Sequence, residues 1–157
     1  MKVEGRRTFA APRETVWEVL DSPERMARLI PGVESFEVHD DSHWRADVKL
    51  PLGIGGLKMK LEFTKLEERQ PDFAKLEAKG NGVGAIVNLE AAFDLADAGA
   101  DGGPGGDTVM KWQADVTIGG QIGSMGHRVL QPVVNQQVEN VLDALDEQVA
   151  QAAANPG

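Results

Sequence analysis

Residues 121–154 read QIGSMGHRVLQPVVNQQVENVLDALDEQVAQAAA, and the fold turns on how this stretch is taken. Ile122, Met125, Val129, Val133, Val138, Val141, Leu142, Leu145 and Val149 recur at steps of three and four. That spacing puts them on one apolar face of a helix. Gly123 and Gly126 weaken the first part of the helix. A proline inside a helix loses one backbone hydrogen bond and crowds the carbonyl four residues back. A kink, or a helix start, is therefore expected near Pro132. This is the one long helix that the pattern predicts.

Everything between residues 33 and 119 has a different period. HWRADVKL (43–50) sets Trp44, Ala46, Val48 and Leu50 against Arg45, Asp47 and Lys49. LKMKLEFTKLEE (57–68) sets Leu57, Met59, Leu61 and Phe63 against Lys58, Lys60, Glu62 and Thr64. Val87, Leu89, Ala91 and Phe93 share a face further on, as do Met110, Trp112, Ala114, Val116 and Ile118. Alternation of this kind marks strands with one buried and one wet face. VESFEVHD (33–40) and the weaker FAKLEAKG (73–80) complete the meander, with VEGRRTFA (3–10) as a first strand. No helix intervenes between these strands, so an antiparallel sheet is expected.

After the first strand, APRETVWEVLD (11–21) and SPERMARLI (22–30) predict two short helices. Pro12 suits a first helical turn, Ser22 an N-cap and Pro23 the position after it. The fold class is thus α+β: a six- or seven-stranded curved antiparallel sheet, one long C-terminal helix, and two short helices after the first strand. A single domain is expected over residues 1–153, with 154–157 as a frayed tail.

These elements do not fill space completely. A helix is about 10 Å wide, whereas a sheet of six or seven strands is about 30 Å across. Unless the sheet curls tightly, room remains between the two layers. Inward side chains would then line a cavity: Trp44, Val48, Met59, Leu61, Phe63, Leu89, Trp112, Val116, Met125, Val129 and Val133. Its mouth or wall would be formed by Leu29, Ile30, Pro31, Leu52 and Ile54. Any single residue of this set could equally be core filling; the collective geometry favours a cavity. PLGIGGL (51–57) is either a bulged turn or an apolar lip at the mouth. In LIPGVE (29–34), Pro31 and Gly32 fix the exit from the second short helix into the next strand.

The string FAAPRETVWEVLDSPERMARLIPGVESFE (9–37) resembles the start of the carbon monoxide dehydrogenase G-subunit (CoxG) family. The matching residues are Ala11-Pro12, Glu14, Val16-Trp17, Asp21, Pro23 and Ile30-Pro31-Gly32-Val33-Glu34. LEAKGNGVGAIVNLEAAFDL (76–95) resembles the family's Ala-x-Gly-x-Gly strand pair, and KWQADVTIGGQIGSMGHRVL (111–130) its closing strand and helix entry. The resemblance covers residues 1 to about 145. It implies the helix-grip fold of the START and polyketide cyclase (SRPBCC) superfamily, with a hydrophobic cavity. It also implies an accessory role beside a molybdenum hydroxylase such as carbon monoxide dehydrogenase, in membrane recruitment of that enzyme, with a quinone-like or lipid-like cargo. Longer members of the family carry a C-terminal tail that reaches the membrane.

Composition narrows the remaining options. The chain has 157 residues, a formal net charge of −9 and no cysteine. Thiolate nucleophiles, thiolate metal sites and disulfides are therefore excluded. Residues 81–157 contain Lys111 and Arg128 as their cations against ten Asp and Glu. A half that acidic repels phosphate backbones and anionic lipid surfaces, so no nucleic-acid partner is expected. The opening MKVEGRRTF turns polar at once and no run reaches the roughly 20 apolar residues of a membrane span. A cytoplasmic location is expected, with peripheral contact at the inner face of the membrane.

Catalytic and metal patterns are sparse. His39-Asp40-Asp41-Ser42-His43 is better read as a hairpin turn than as a zinc site, which needs three or four preorganised ligands. GGPGGDTVM (102–110) matches one copy of a calcium nonapeptide that functions only in tandem. Ser124 and His127 could touch on a helix, but no orienting acid accompanies them. No metal, cofactor or catalytic residue is expected. The expected function is non-enzymatic binding of a hydrophobic small molecule. The alternative is a cyclase, dehydratase or hydrolase that uses the same cavity and needs at least two ionisable groups inside it.

Overall fold

The computed structural model describes residues 1–30, 32–50, 56–97 and 106–154. Seven strands form one antiparallel sheet: β1 (Lys2–Phe9), β2 (Val33–Asp40), β3 (His43–Leu50), β4 (Leu57–Arg69), β5 (Phe73–Gly82), β6 (Ala85–Asp97) and β7 (Thr108–Gly119). Their order across the sheet is β1-β7-β6-β5-β4-β3-β2. The meander β2 to β7 pairs each strand with its sequence neighbour, and β1 closes onto β7. The helices are α1 (Arg13–Asp21), α2 (Pro23–Arg28), a single turn α3 (Gly120–Gly123), and α4 (His127–Ala154). The sheet curves around α4, and the expected α+β helix-grip architecture is what the chain adopts.

Local chemistry explains the junctions. Ser22 caps α2, its hydroxyl accepting from the Arg25 amide at 3.2 Å, and Pro23 follows where a missing N–H does no harm. Pro12 stands at the N-cap of α1, one place before the first turn in which its sequence pattern sets it. Gly32 has φ +75°, and its carbonyl accepts from the Lys49 amide at 2.9 Å. A Cβ there would sit 2.1 Å from the Lys49 carbonyl oxygen, so only glycine fits between α2 and β3.

The long helix differs from the expectation at its start. It starts at His127 rather than at Pro132 and runs through that proline. Between α3 and α4 the backbone breaks at Gly126, which has φ +83°. The C-terminal half of α4 is the anchored half. Leu142, Leu145, Val149 and Ala152 are buried, and Arg7 on β1 reaches Asp143 and Asp146 at 2.8 and 2.7 Å. Helical backbone continues to Ala154, one residue past the expected domain end.

Candidate functional site

The inward faces of the strands and the N-terminal half of α4 leave a cavity of about 300 Å³. Its broad wall is β3 and β4, with Trp44 stacked on Phe63 at 5.4 Å between ring centroids and Met59 and Leu61 beside them. On β5, β6 and β7 small side chains, Ala78, Ala85, Ala91 and Ala114, form the floor between larger ones such as Leu76, Leu89, Phe93 and Trp112. Glycine deepens it. A Cβ on Gly80 would stand 2.5 Å from Leu61 Cδ2 and 3.1 Å from Met59 Cε, so both long side chains lean over β5. On the other side Trp112 lies over Gly5, where a Cβ would meet its ring at 2.8 Å. Leu130, Val133, Val134, Gln137, Val138 and Val141 close the top from α4.

Of the residues singled out in the sequence, Trp44, Met59, Leu61, Phe63, Leu89, Trp112, Val116 and Val133 line this cavity, as do Leu29 and Ile30 from the end of α2. Three do not. Val48 is fully buried but belongs to the packed core, on the side of the sheet where α2 contacts β2 and β3. Met125 and Val129 are 48% and 46% exposed. Met125 stands at the α3–α4 break beside Gly126 and Val129 in the first turn of α4, whereas Leu130 next to it is buried and Val133, one turn on, lines the cavity. Pro31, Leu52 and Ile54 lie outside the described residues. The alanine and glycine floor escapes sequence reasoning because small residues carry almost no periodic hydrophobic signal; the cue available was the run Ala78-x-Gly80-x-Gly82 itself.

No ionisable side chain is among the described residues that line the cavity. Three polar atoms belonging to its lining residues are buried with no hydrogen-bond partner among the described residues: Trp44 Nε1, Trp112 Nε1 and Gln137 Oε1. Two are donors and one an acceptor. Leaving such groups unpaired costs about 1–3 kcal/mol each.

The other sequence candidates resolve into structure. Asp40 accepts from the Ser42 amide at 2.8 Å and from His43 Nδ1 at 2.9 Å, a turn held by its own side chain. The His43 hydrogen bond, with that from Ser42, holds the Asp40 carboxyl below its usual range. The Ser124 hydroxyl donates to the Gln121 carbonyl at 2.6 Å. No group of three His, Asp or Glu side chains that could hold a metal occurs among the described residues. Of the GGPGGDTVM string, residues 102–105 lie outside them, and Thr108, Val109 and Met110 open β7. Among the described residues no helix is long and apolar enough to cross a membrane.

The strongest charged cluster lies beside the cavity, not in it. Lys65 on β4, with its side chain 8% exposed, donates to the Asp21 carbonyl at 2.6 Å. It also pairs with the carboxylates of Asp21 at 3.1 Å and Glu68 at 3.0 Å. Burial raises both carboxyls. For Asp21 the hydrogen bonds from Glu68 and Lys65 outweigh it, and the net shift is downward. Glu68 is raised, by burial first and by its hydrogen bond to Asp21 second. The cluster ties the end of α1 to the sheet.

An antiparallel sheet gripping a C-terminal helix over an apolar cavity defines a START-like helix-grip protein. Similar solved structures agree on that fold. A conserved protein of Geobacillus kaustophilus superposes with a TM-score of 0.83 at 21% identity, over 97% of each chain. A START superfamily protein of Mycobacterium smegmatis gives 0.70 at 16% identity, over 96% of this chain and 97% of that one. The Zhui aromatase/cyclase of Streptomyces sp. R1128 gives 0.65 at 16% identity, over 99% and 98%. No curated protein matches by sequence. The sequence does match the family model of CoxG, the G subunit of carbon monoxide dehydrogenase, over residues 5–150, and the chain belongs to that family. Family and fold together support an accessory role in hydrophobic-ligand binding in general.

Proposed function

We propose that this chain is a non-enzymatic carrier that holds a quinone-like or lipid-like molecule in the cavity between its sheet and α4. In this reading it presents the molecule to a molybdenum hydroxylase of the carbon monoxide dehydrogenase type, at the inner face of the membrane. The observation that carries the reading is the cavity wall: a continuous apolar lining with no ionisable group among the described residues. Apolar pockets with a few polar atoms are what lipophilic ligands occupy. General acid–base chemistry needs a titratable side chain within reach of the substrate, and this wall offers none to a cyclase or hydrolase.

The test is mass spectrometry of an organic extract of the purified protein, followed by reloading of the stripped protein with the compound found. A stoichiometric lipophilic compound that rebinds is the expected result. A stripped protein that takes up neither that extract nor any apolar fluorescent probe would end the carrier reading. The partner is tested by co-purification with a molybdenum hydroxylase from the same cell.

A further inference from the structure

β4 carries an extra residue beneath the two short helices. Lys65 pairs with Leu76 of β5 and Glu67 with Lys75, so Leu66 between them has no partner, and it is 45% exposed. A bulge of this kind shifts the alternation of a strand by one residue. Phe63 and Lys65 point inward before it, and Glu68 does so after it. The bulge therefore sets a cation and a carboxylate side by side on the inner face, where Lys65 meets Glu68 at 3.0 Å.

The cation grips a hinge. Ser22, with φ −89° and ψ 112°, is the single extended residue between the end of α1 at Asp21 and the start of α2 at Pro23. The shortest bond of Lys65 Nζ, 2.6 Å, goes to the Asp21 carbonyl, which belongs to the peptide that leads into Ser22. A cation suits that carbonyl, one of the unpaired acceptors at a helix C-terminus. Beyond the hinge, α2 is lightly held. Among the described residues its one ion pair, Arg28 to Glu24, is internal. It packs chiefly on α1, β2 and β3.

α2 also forms part of the cavity wall, through Met26 and through Leu29 and Ile30 just after it. A second space of about 10 Å³ is lined by Lys65 and Glu68. Met26, Leu76 and Phe93 line it too, and the same three side chains line the cavity. One layer of side chains thus separates the ion cluster from the ligand space.

We propose that Lys65, Asp21 and Glu68 form a latch on the α1–α2 hinge, and that α2 is the gate through which the cavity exchanges its ligand. The proposal rests on the carrier reading and supplies the regulation of that same site. When Lys65 releases the Asp21 carbonyl, α2 turns about Ser22 and withdraws Met26, Leu29 and Ile30 from the wall. The bulge explains why the contact is ionic. Apolar side chains in its place would hold at least as well. Glu68, however, stays beside Lys65 when the hinge lets go, so opening strands no bare buried cation. The other cover, α4, is fixed more firmly, by its buried C-terminal half and by the pairs from Arg7 to Asp143 and Asp146.

The test is the kinetics of diphenylhexatriene exchange between the full chain and excess methyl-β-cyclodextrin. A gate sets rates and not affinity. Lys65→Met should raise uptake and release together, each about tenfold or more, the equivalent of one lost charge-assisted hydrogen bond. Ser22→Gly leaves the ion cluster intact, weakens the cap only slightly, and should also quicken both. Arg7→Gln, which frees α4 from β1, should exchange at the wild-type rate. Unchanged rates in Lys65→Met and Ser22→Gly would overturn the latch. Faster exchange in Arg7→Gln alone would overturn it as well, by placing the portal under α4. So would a Lys65→Met protein that releases faster but takes up the probe at the old rate, since that is a damaged wall. A wild-type protein that loads no probe refutes the carrier reading, and the latch with it; normal loading with unchanged rates in the hinge variants refutes the latch alone.

Discussion

Replacing Ala91 by leucine separates an empty cavity from a packed core. Ala91 is 7% exposed, lies in register with Leu76 on β5 and Ala114 on β7, and faces the cavity with both. Leucine adds three carbons. If they enter free space, each contributes about 0.8 kcal/mol of burial, so the ligand-free protein gains up to about 2 kcal/mol. For a chain of this length that raises the melting temperature by about 4–8 °C. The same carbons exclude about as much apolar surface of any ligand, and about 2 kcal/mol is roughly a 30-fold loss of affinity. The assays are thermal or urea unfolding of stripped protein, and titration with an apolar fluorescent probe. The two effects must have opposite signs. A destabilisation of about 1–3 kcal/mol, the usual result of overpacking, would show that the space is already filled. Stabilisation with unchanged probe affinity would show that the ligand binds elsewhere.

Leu61→Asp puts a carboxylate into the apolar wall and should abolish probe binding at neutral pH; partial recovery in acid, as the buried carboxyl protonates, is the matching signature in a pH titration. Gly32→Ala should destabilise by at least about 2 kcal/mol in urea unfolding, since the position combines φ +75° with a backbone oxygen where the Cβ must go. Lys65→Met leaves Asp21 and Glu68 facing each other without their cation, at a cost of about 1–3 kcal/mol. Asp21, whose carboxyl is lowered by folding, contributes stability above its unfolded pKa and loses it as pH falls through the folded value. Glu68, raised by folding, contributes below its unfolded pKa and loses it as pH rises through the folded value. Without Lys65 both carboxyls favour protonation. The variant's deficit should therefore be larger at pH 7 than at pH 4, and equal deficits at both would refute this account.

The strands were legible because alternation is a strong signal: Trp44, Met59 and Phe63 fall inward where their period places them. The caps were legible for the same local reason, as with Ser22 and Pro23. The entry into α4 was not. A helical period read through residues 122–133 takes no notice of one left-handed residue, yet the chain breaks at Gly126 and leaves Met125 and Val129 exposed there, while Ile122 and Val133 on either side line the cavity. The bulge at Leu66 was equally hidden, since it depends on a cross-strand register that a single strand's pattern does not contain.

The cavity owes its depth to small residues set among the large ones, as well as to the width of the helix. β3 and β4 present Trp44, Met59, Leu61 and Phe63, and β5, β6 and β7 set Ala78, Gly80, Ala85, Ala91 and Ala114 among Leu76, Leu89, Phe93 and Trp112 beneath α4. Were those small positions filled by large residues, the side chains would meet the helix and close the space. Instead Gly80 lets Leu61 and Met59 lie flat, and Gly5 lets the Trp112 ring fold toward the β1 edge. Both glycines draw bulk out of the centre, so the void is encoded twice, by what is small at the floor and by where the large residues are allowed to lean. A core selected for stability alone would gain from filling that floor. Its persistence is intelligible if the missing carbon is supplied by a bound molecule.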